Sequence, residues 1–424
     1  MKILYSPGTP RDTRSRLPIG LRIAQEARTM SLTCLPRRVS QCLRVLEPCF
    51  HHRHQLVFSW LLVVHLVYGE RANLKALARH GPQHLAYQHY RRLLCAAYWC
   101  TKALLWWFAA QALQALPPPE DGILYLVSDS TLKGKRGSKH PVAHKTRLSQ
   151  YHPYVFGFRI VLLMAQWDVY RIPVDFALIR RQDDPDYQPE NALFRQMLPE
   201  FRRPTWCQEV VVTADAAYAS RANLASIQEL GYWYVMALPR TWKFAHGKAV
   251  KDLVTHLPRG KYTQIRIPTV NTQRRRTFWV YTKRVQLRHL GDVTVVLSKC
   301  RRNDGPKQTK ILVTNMPETV TAREIVGVYL RRWWIELLMK ELKGVVGMGQ
   351  HQVTKHVDRV ERSVAVAIMA YLLLLKLHAK DIPADRPWSA FRLQRAFASE
   401  VLQGQCERSA RQIARKWLQM GIAA

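Results

Sequence analysis

The apolar positions of this chain change period twice, dividing it into helical, strand-rich and again helical stretches. Over residues 31–116 they recur with helical spacing, in the run from residue 55 and in 72–78, 84–97 and 104–116. The apolar run 56–68 is interrupted by Ser59 and His65 and falls short of the roughly 18–20 residues that cross a bilayer, so it predicts a core helix. Pro117, Pro118 and Pro119 stop the helical pattern and mark a boundary. Short β-branched runs follow at 123–128, 154–164, 169–178, 209–213 and 232–237, with helical segments at 191–201 and 221–230; together they predict a mixed α/β sheet. Residues 262–270, 277–285, 293–298 and 311–314 alternate in strand period with no helical pattern between them, which predicts a β-rich insertion. Helical spacing returns at 323–345, 360–379, 388–402 and 408–420, and no internal repeat is present.

Within the first helical stretch the turn Arg79-His80-Gly81-Pro82 separates two short amphipathic segments. Either this is a helix-turn-helix whose second helix presents Tyr87, His89, Tyr90, Arg91 and Arg92 to DNA, or it is a plain bundle with a basic rim. The opening residues 1–30 contain Pro7, Gly8, Pro10, Pro18 and Gly20, show little periodicity and lack the apolar centre of a secretory leader. They are expected to be a flexible extension, or to lie upstream of a true start at Met30.

Charge narrows the picture. Lysine and arginine total 65 against 30 acidic residues, a net +35 on 424 residues, and such self-repulsion is relieved best by a polyanion, so nucleic acid is the expected partner. The charge is spread along the chain, as in Arg180-Arg181, Arg274-Arg275-Arg276, Arg301-Arg302 and Arg331-Arg332, which predicts a long binding surface rather than a basic arm. Thirteen tryptophans and 48% apolar residues supply a core and exclude general disorder. The eight cysteines form no Cys-x-x-Cys pair, so neither a zinc site nor a disulfide framework is predicted; buried reduced thiols are.

Candidate chemistry lies in three places. Tyr329, Arg332, Glu336 and Lys343 fall at i, i+3, i+7 and i+14 in a stretch expected to be one helix, which places them within an arc of roughly 60° on one face. Glu341 lies about 140° around that helix from Glu336 and points elsewhere. Trp333 and Trp334 are expected to anchor the helix in the core. Asp129 closes the run Ile-Leu-Tyr-Leu-Val-Ser and Asp215 ends Glu-Val-Val-Val-Thr-Ala, so each acid is delivered at the end of a buried strand, where a carboxylate is normally paired or binds a cation. Asp183, Asp184 and Asp186 crowd a polar turn with Pro185, and Asp168 and Asp175 have no helical acid in register.

The loop from Lys133 to His140, with Lys135 and Arg136, follows the first acid; it lacks the order of a nucleotide P-loop and offers flexible cations to a DNA backbone. His51, His52 and His54 have no nearby Cys or acid to complete a metal site. Trp279 either packs in the sheet or stacks on an unpaired base.

The spacing Y-x2-R-x3-E-x6-K, written here as YLRRWWIELLMKELK, resembles the YREK signature of DDE-type transposases from bacterial insertion sequences. Ser-Asp-Ser-Thr at 128–131 and Ala-Asp-Ala-Ala-Tyr at 214–218 are similar, in order, to the first two acidic regions of that family, with Ala217 where relatives often have another small residue, glycine. The resemblance spans about residues 119–350 and implies an RNase H-like α/β fold in which Asp129, Asp215 and Glu336 form the catalytic, metal-binding triad. It implies that Tyr329, Arg332 and Lys343 contact transposon-end DNA; Lys133, Lys135 and Arg136 in the basic loop, Arg91 and Arg92 in the helix-turn-helix reading, and Trp279 are further DNA-binding candidates from the residues themselves. Three such carboxylates hold two Mg²⁺ ions, with Mn²⁺ as a substitute, about 3.5–4 Å apart, one activating a water or 3′-hydroxyl and the other the leaving oxygen.

The expected organisation is an extension at 1–30, a helical DNA-binding domain at 31–118, and a catalytic domain at 119–240 and 319–350. A β-rich insertion at 241–318 and a C-terminal helical region at 351–424 complete it. The resemblance further implies double-stranded DNA as partner, both as transposon ends and as target. It also implies a homodimer or higher oligomer, no membrane, and a bacterial cytoplasmic location on the nucleoid. A catalytically inactive, transposase-derived DNA-binding protein is the alternative, against which the intact acids argue. An RNA-binding reading ranks below both, since no RNA-recognition sheet signature is present.

Overall fold

The computed structural model describes residues 32–50, 52–69, 74–82, 84–135, 140–147, 154–268, 275–350 and 356–419; the expected extension at 1–30, Arg136 and His51 lie outside them. Among the described residues five α-helices precede the strands: α1 (Arg37–Leu43), α2 (His52–Tyr68), α3 (Leu74–His80), α4 (Tyr87–Cys95) and α5 (Thr101–Ala115). The strand-rich region runs β1 (Ile123–Gly134), β2 (His144–Arg147), β3 (Tyr154–Trp167), β4 (Tyr170–Ile179), α6 (Glu190–Glu200), β5 (Glu209–Ala214), α7 (Arg221–Glu229) and β6 (Trp233–Ala237). Then come α8 (Val250–His256), β7 (Thr263–Pro268), β8 (Arg275–Leu287), β9 (Gly291–Lys299), β10 (Lys310–Thr314), α9 (Ala322–Leu330), α10 (Trp333–Gly344), α11 (Val357–Leu377) and α12 (Ala390–Gln419).

The strands form one mixed sheet in the order β2-β3-β1-β5-β6-β10-β9-β8-β7, with β4 also on β3. β3 pairs antiparallel with both β1 and β4, while β1, β5 and β6 run parallel. That combination, three antiparallel strands followed by two parallel ones reached through α6 and α7, is an RNase H-like α/β fold. The parallel strands carry near-continuous apolar runs such as Val210, Val211 and Val212 because helices cover both faces. The insertion strands extend this sheet, since β10 pairs antiparallel with β6 on one side and β9 on the other.

Three boundaries differ from the sequence expectation. The single helix expected over 323–345 is two helices: backbone hydrogen bonds tighten to the i→i−3 pattern at Arg331, Arg332, Trp334 and Ile335, which separates α9 from α10. The two helices expected after residue 388 are one, because the polar stretch around Gly404 contains no proline and a single glycine costs only about 1 kcal/mol in a helix. The short helix α8 was not expected; its apolar pattern is reduced to two buried residues, Val250 and Val254.

The helices on either side of the sheet region pack on one another. His65 on α2 is fully buried and its Nδ1 lies 2.7 Å from the carbonyl oxygen of Val346, just beyond α10. Gln394 on α12 donates to the Leu66 carbonyl at 2.7 Å. No described helix is long and apolar enough to cross a membrane, in line with the reading of 56–68 as a core helix. None of the eight cysteines, all of them described residues, is in a disulfide, but contrary to expectation none is fully buried; Cys49, Cys100, Cys300 and Cys406 are exposed, on helix ends, in a turn and on the outer face of α12.

Candidate active site

Asp129 lies in the middle of β1, not at its end, because β3 is long enough to keep pairing with β1 after β5 has stopped; Asp129 stands opposite Leu162. The parallel pairing of β1 with β5 ends at Val127 and Thr213. Carried two residues further, that register sets Asp129 beside Asp215 on the same side of the sheet, at the roughly 4.8 Å spacing of neighbouring strands. Asp215 is the first residue after β5, and its carboxylate accepts from the Ala217 N–H at 2.8 Å, closing a local turn.

Arg332, at the junction of α9 and α10, joins the acids of strand and helix. Its Nη1 donates to Asp129 Oδ2 at 3.2 Å and its Nη2 to Glu336 Oε1 at 2.8 Å. Burial pushes the Asp129 carboxyl up to about 6; the Ser130 N–H offsets this, Asp215 adds to it, Arg332 opposes it and Glu190 adds again. About two turns beyond Glu336 on α10, Lys343 Nζ donates to Thr131 Oγ1 at 2.5 Å and to the Leu132 carbonyl at 3.1 Å, and burial together with Lys133 pushes its pKa down.

The remaining candidates divide. Tyr329 belongs to α9 and packs in a hydrophobic cluster with Ile325, Val326 and Val328, while its phenol oxygen lies near enough to Arg332, across the tightened turn at Arg331–Arg332, to act on the guanidinium. Lys135 is not a flexible cation: its Nζ donates to the Gly349 carbonyl at 2.7 Å, and burial, then Lys133, push it down to about 8. Lys133 is half-buried on β1. Arg91 and Arg92 are exposed on α4, with Tyr87 and His89, whereas Tyr90 is fully buried and cannot face DNA from there. Trp279 packs partly against the core in β8, with the Arg302 guanidinium 5.2 Å from its ring centre.

Trp334 is buried as expected, but Trp333 is 63% exposed and anchors nothing. His54 is half-buried, and the His52 side chain lies outside the described residues. Asp183, Asp184 and Asp186 pair with Arg180 and Arg181 in a surface turn.

Glu341 is occupied elsewhere. It is buried and takes a two-pronged ion pair from Arg171, with Arg171 Nε at 2.7 Å, and accepts from the Tyr371 hydroxyl at 2.8 Å. Sequence reasoning missed one further acid, Glu190, at the first residue of α6: its Oε1 accepts from the Tyr218 hydroxyl at 2.5 Å, and its charge acts on Asp129. Nothing in the local sequence separates it from an ordinary helix-start acid; only the fold brings it here.

In donor type and charge these acids suit a hard divalent cation, because burial and the neighbouring Asp215 both penalise the ionised Asp129, and a cation would relieve that penalty. In position they do not form the expected cage. Among the described residues no three His, Cys, Asp or Glu side chains stand close enough to hold a metal ion, and the Arg332 guanidinium lies between Asp129 and Glu336.

Residues 172–373 match the family model of the transposase DDE domain. This match contains Asp215, Arg332, Glu336 and Lys343, begins after Asp129, and supports a DDE-type transposase in general terms. No curated protein is a significant match to the chain. Among solved structures it is similar to the piggyBac transposase in a synaptic complex with hairpin DNA, at 10% identity and a TM-score of 0.45, over 94% of this chain and 84% of that one.

Proposed function

We propose that this chain is an insertion-sequence transposase that binds the ends of its element and carries out metal-dependent DNA cleavage and strand transfer. The observation that supports this best is the linkage of Asp129 on β1 to Glu336 on α10 through Arg332, with the register of β1 and β5 setting Asp215 alongside. In this reading Asp129, Asp215 and Glu336 hold Mg²⁺ or Mn²⁺, which when bound supplies an activated water or 3′-hydroxyl and stabilises the leaving oxygen. Arg332, released from the two acids, neutralises charge on the phosphate, and Lys343 does the same from its seat on Thr131. Lys133 near the end of β1 and Lys135 just after it lie along the DNA path, and Arg91 and Arg92 on α4 bind backbone phosphates. The net charge of +35 supplies the sequence-independent part of DNA affinity. Holding two ends together calls for at least a dimer.

The test uses the DNA that flanks the reading frame, labelled and incubated with the full chain and Mg²⁺. Asp129→Asn, Asp215→Asn and Glu336→Gln should each lower cleavage by roughly a thousandfold or more while salt-sensitive DNA binding persists, since each removes a group acting at the reacting phosphate. Wild-type cleavage by any of the three removes that residue from the site. Wild-type cleavage by all three ends the proposal.

A further inference from the structure

The turn that carries Asp215 lies outside the sheet ladder. β5 ends at Ala214, and among the described residues the Asp215 side chain is hydrogen-bonded within its own turn, to the Ala217 N–H. What holds that turn comes from the starts of α6 and α7. Asn191 Nδ2 donates to the Ala217 carbonyl at 3.2 Å, and Asn223 Nδ2 donates to the Tyr218 carbonyl at 2.7 Å and to Asn191 Oδ1 at 2.8 Å. Tyr218 is 1% exposed, lies edge-on to Phe194 with ring centres 5.2 Å apart, and directs its hydroxyl to Glu190 Oε1 at 2.5 Å.

A buried phenol needs an acceptor, and here the acceptor is a carboxylate rather than a backbone carbonyl. The other oxygen of Glu190 lies 3.9 Å from Arg159 Nη1 on β3. The same carboxylate is close enough to Asp129 to oppose its ionisation. Glu190 thus connects β3, α6 and the Asp215 turn at a point beside the first acid.

We propose that Glu190 is a positioning residue, acting through the Tyr218 hydroxyl to hold the Asp215 turn at its setting beside Asp129. This rests on the reading of Asp129 and Asp215 as cation-binding acids. A Glu at the start of a helix also interacts favourably with the helix dipole, but that role needs no buried tyrosine and leaves the Asp215 turn unaffected when the bond is cut.

The test separates hydrogen bond from charge and needs no knowledge of the DNA ends. Mn²⁺ binding by the DNA-free full chain is read from the free-ion electron paramagnetic resonance signal, with thermal unfolding recorded on the same samples. Glu190→Ala and Tyr218→Phe each delete the bond and should each weaken Mn²⁺ binding by roughly tenfold, the scale seen when a partner behind a metal ligand is lost. The double variant should be weakened by clearly less than the product of the two single losses, because the shared bond is lost once, while Glu190→Ala also removes the Arg159 pair and Tyr218→Phe the contact with Ser128. Glu190→Gln keeps an acceptor for the hydroxyl and should recover most of the loss. If Glu190→Gln is as damaging as Glu190→Ala, the charge matters rather than the bond, and the proposal is overturned; unchanged Mn²⁺ binding in Glu190→Ala and Tyr218→Phe overturns it too. Asp129→Asn in the same series keeps the two ideas apart. If it binds Mn²⁺ like wild type, the underlying reading of the acids fails, whereas its loss of binding beside unaffected Glu190 and Tyr218 variants sinks the positioning role alone.

Discussion

In the proposed function Asp129 acts as a carboxylate, at a place where burial disfavours one. Its pKa rises from an ordinary 3.8 to about 6, with burial as the first cause, so between those values the folded protein keeps a proton that the unfolded chain has released. The folded state therefore binds more protons across that window, and stability falls as pH rises through it and stays lower above pH 6. Two pKa units correspond to about 3 kcal/mol, a ceiling here because the side chain is still 23% exposed and water screens it. Asp129→Asn removes the titration, and urea unfolding should show it more stable than wild type by about 1–3 kcal/mol at pH 8, with the gap closing towards pH 4. A variant less stable than wild type at pH 8 would mean that the Arg332 pairing outweighs desolvation. Function and stability are opposed at this one residue. The sequence announced Asp129 by an acid following an apolar run, but not its mid-strand place, which depends on the length of β3.

At the scale of elements the decisive one is α10, whose two glutamates face different partners. Glu336 meets Arg332 near the sheet acids, while Glu341 is fixed by Arg171 from β4 and Tyr371 from α11, with the Trp388 ring 3.8 Å from the guanidinium. Helical geometry alone separated those two directions in the sequence, because both residues lie within one regular helix. It failed for the helix break between Tyr329 and Trp333, because the i→i−3 turn at Arg331–Arg332 has no glycine or proline to announce it. It also failed for Trp333, since an aromatic residue carries no mark of which side it faces. The buried pair fixes the rotation of α10, and removing one member should be costly. Glu341→Ala leaves Arg171 charged and unpaired, and should destabilise by about 3–5 kcal/mol in urea unfolding. Replacing both residues with methionine should recover most of that loss, because two apolar side chains need no partner. A double variant as unstable as Glu341→Ala would mean that packing around Trp334 and Trp388, not the unpaired charge, carries the cost.

At the scale of the whole molecule, the helices before the sheet and those after it form one body around α10, a relationship no local pattern in the sequence conveys. His65 is where α2 meets the end of α10. Burial pushes its pKa from 6.5 down to about 4, against the raising effect of its bond to the Val346 carbonyl, so the fold accepts only the neutral ring, with Nδ1–H donating to that carbonyl. Between those values the unfolded chain binds a proton that the folded chain refuses. Stability from this residue is complete above pH 6.5 and is lost as pH falls towards 4, by about 3 kcal/mol over the window. Asn at this position places an amide nitrogen where Nδ1 stands and does not titrate. His65→Asn leaves a gap and so starts from a lower stability, but between pH 7 and pH 4.5 its unfolding free energy should change by about 2–3 kcal/mol less than that of wild type. Parallel pH dependences for the two proteins would show that His65 stays uncharged for free, and that acid weakening of this strongly basic chain comes from general charge repulsion instead.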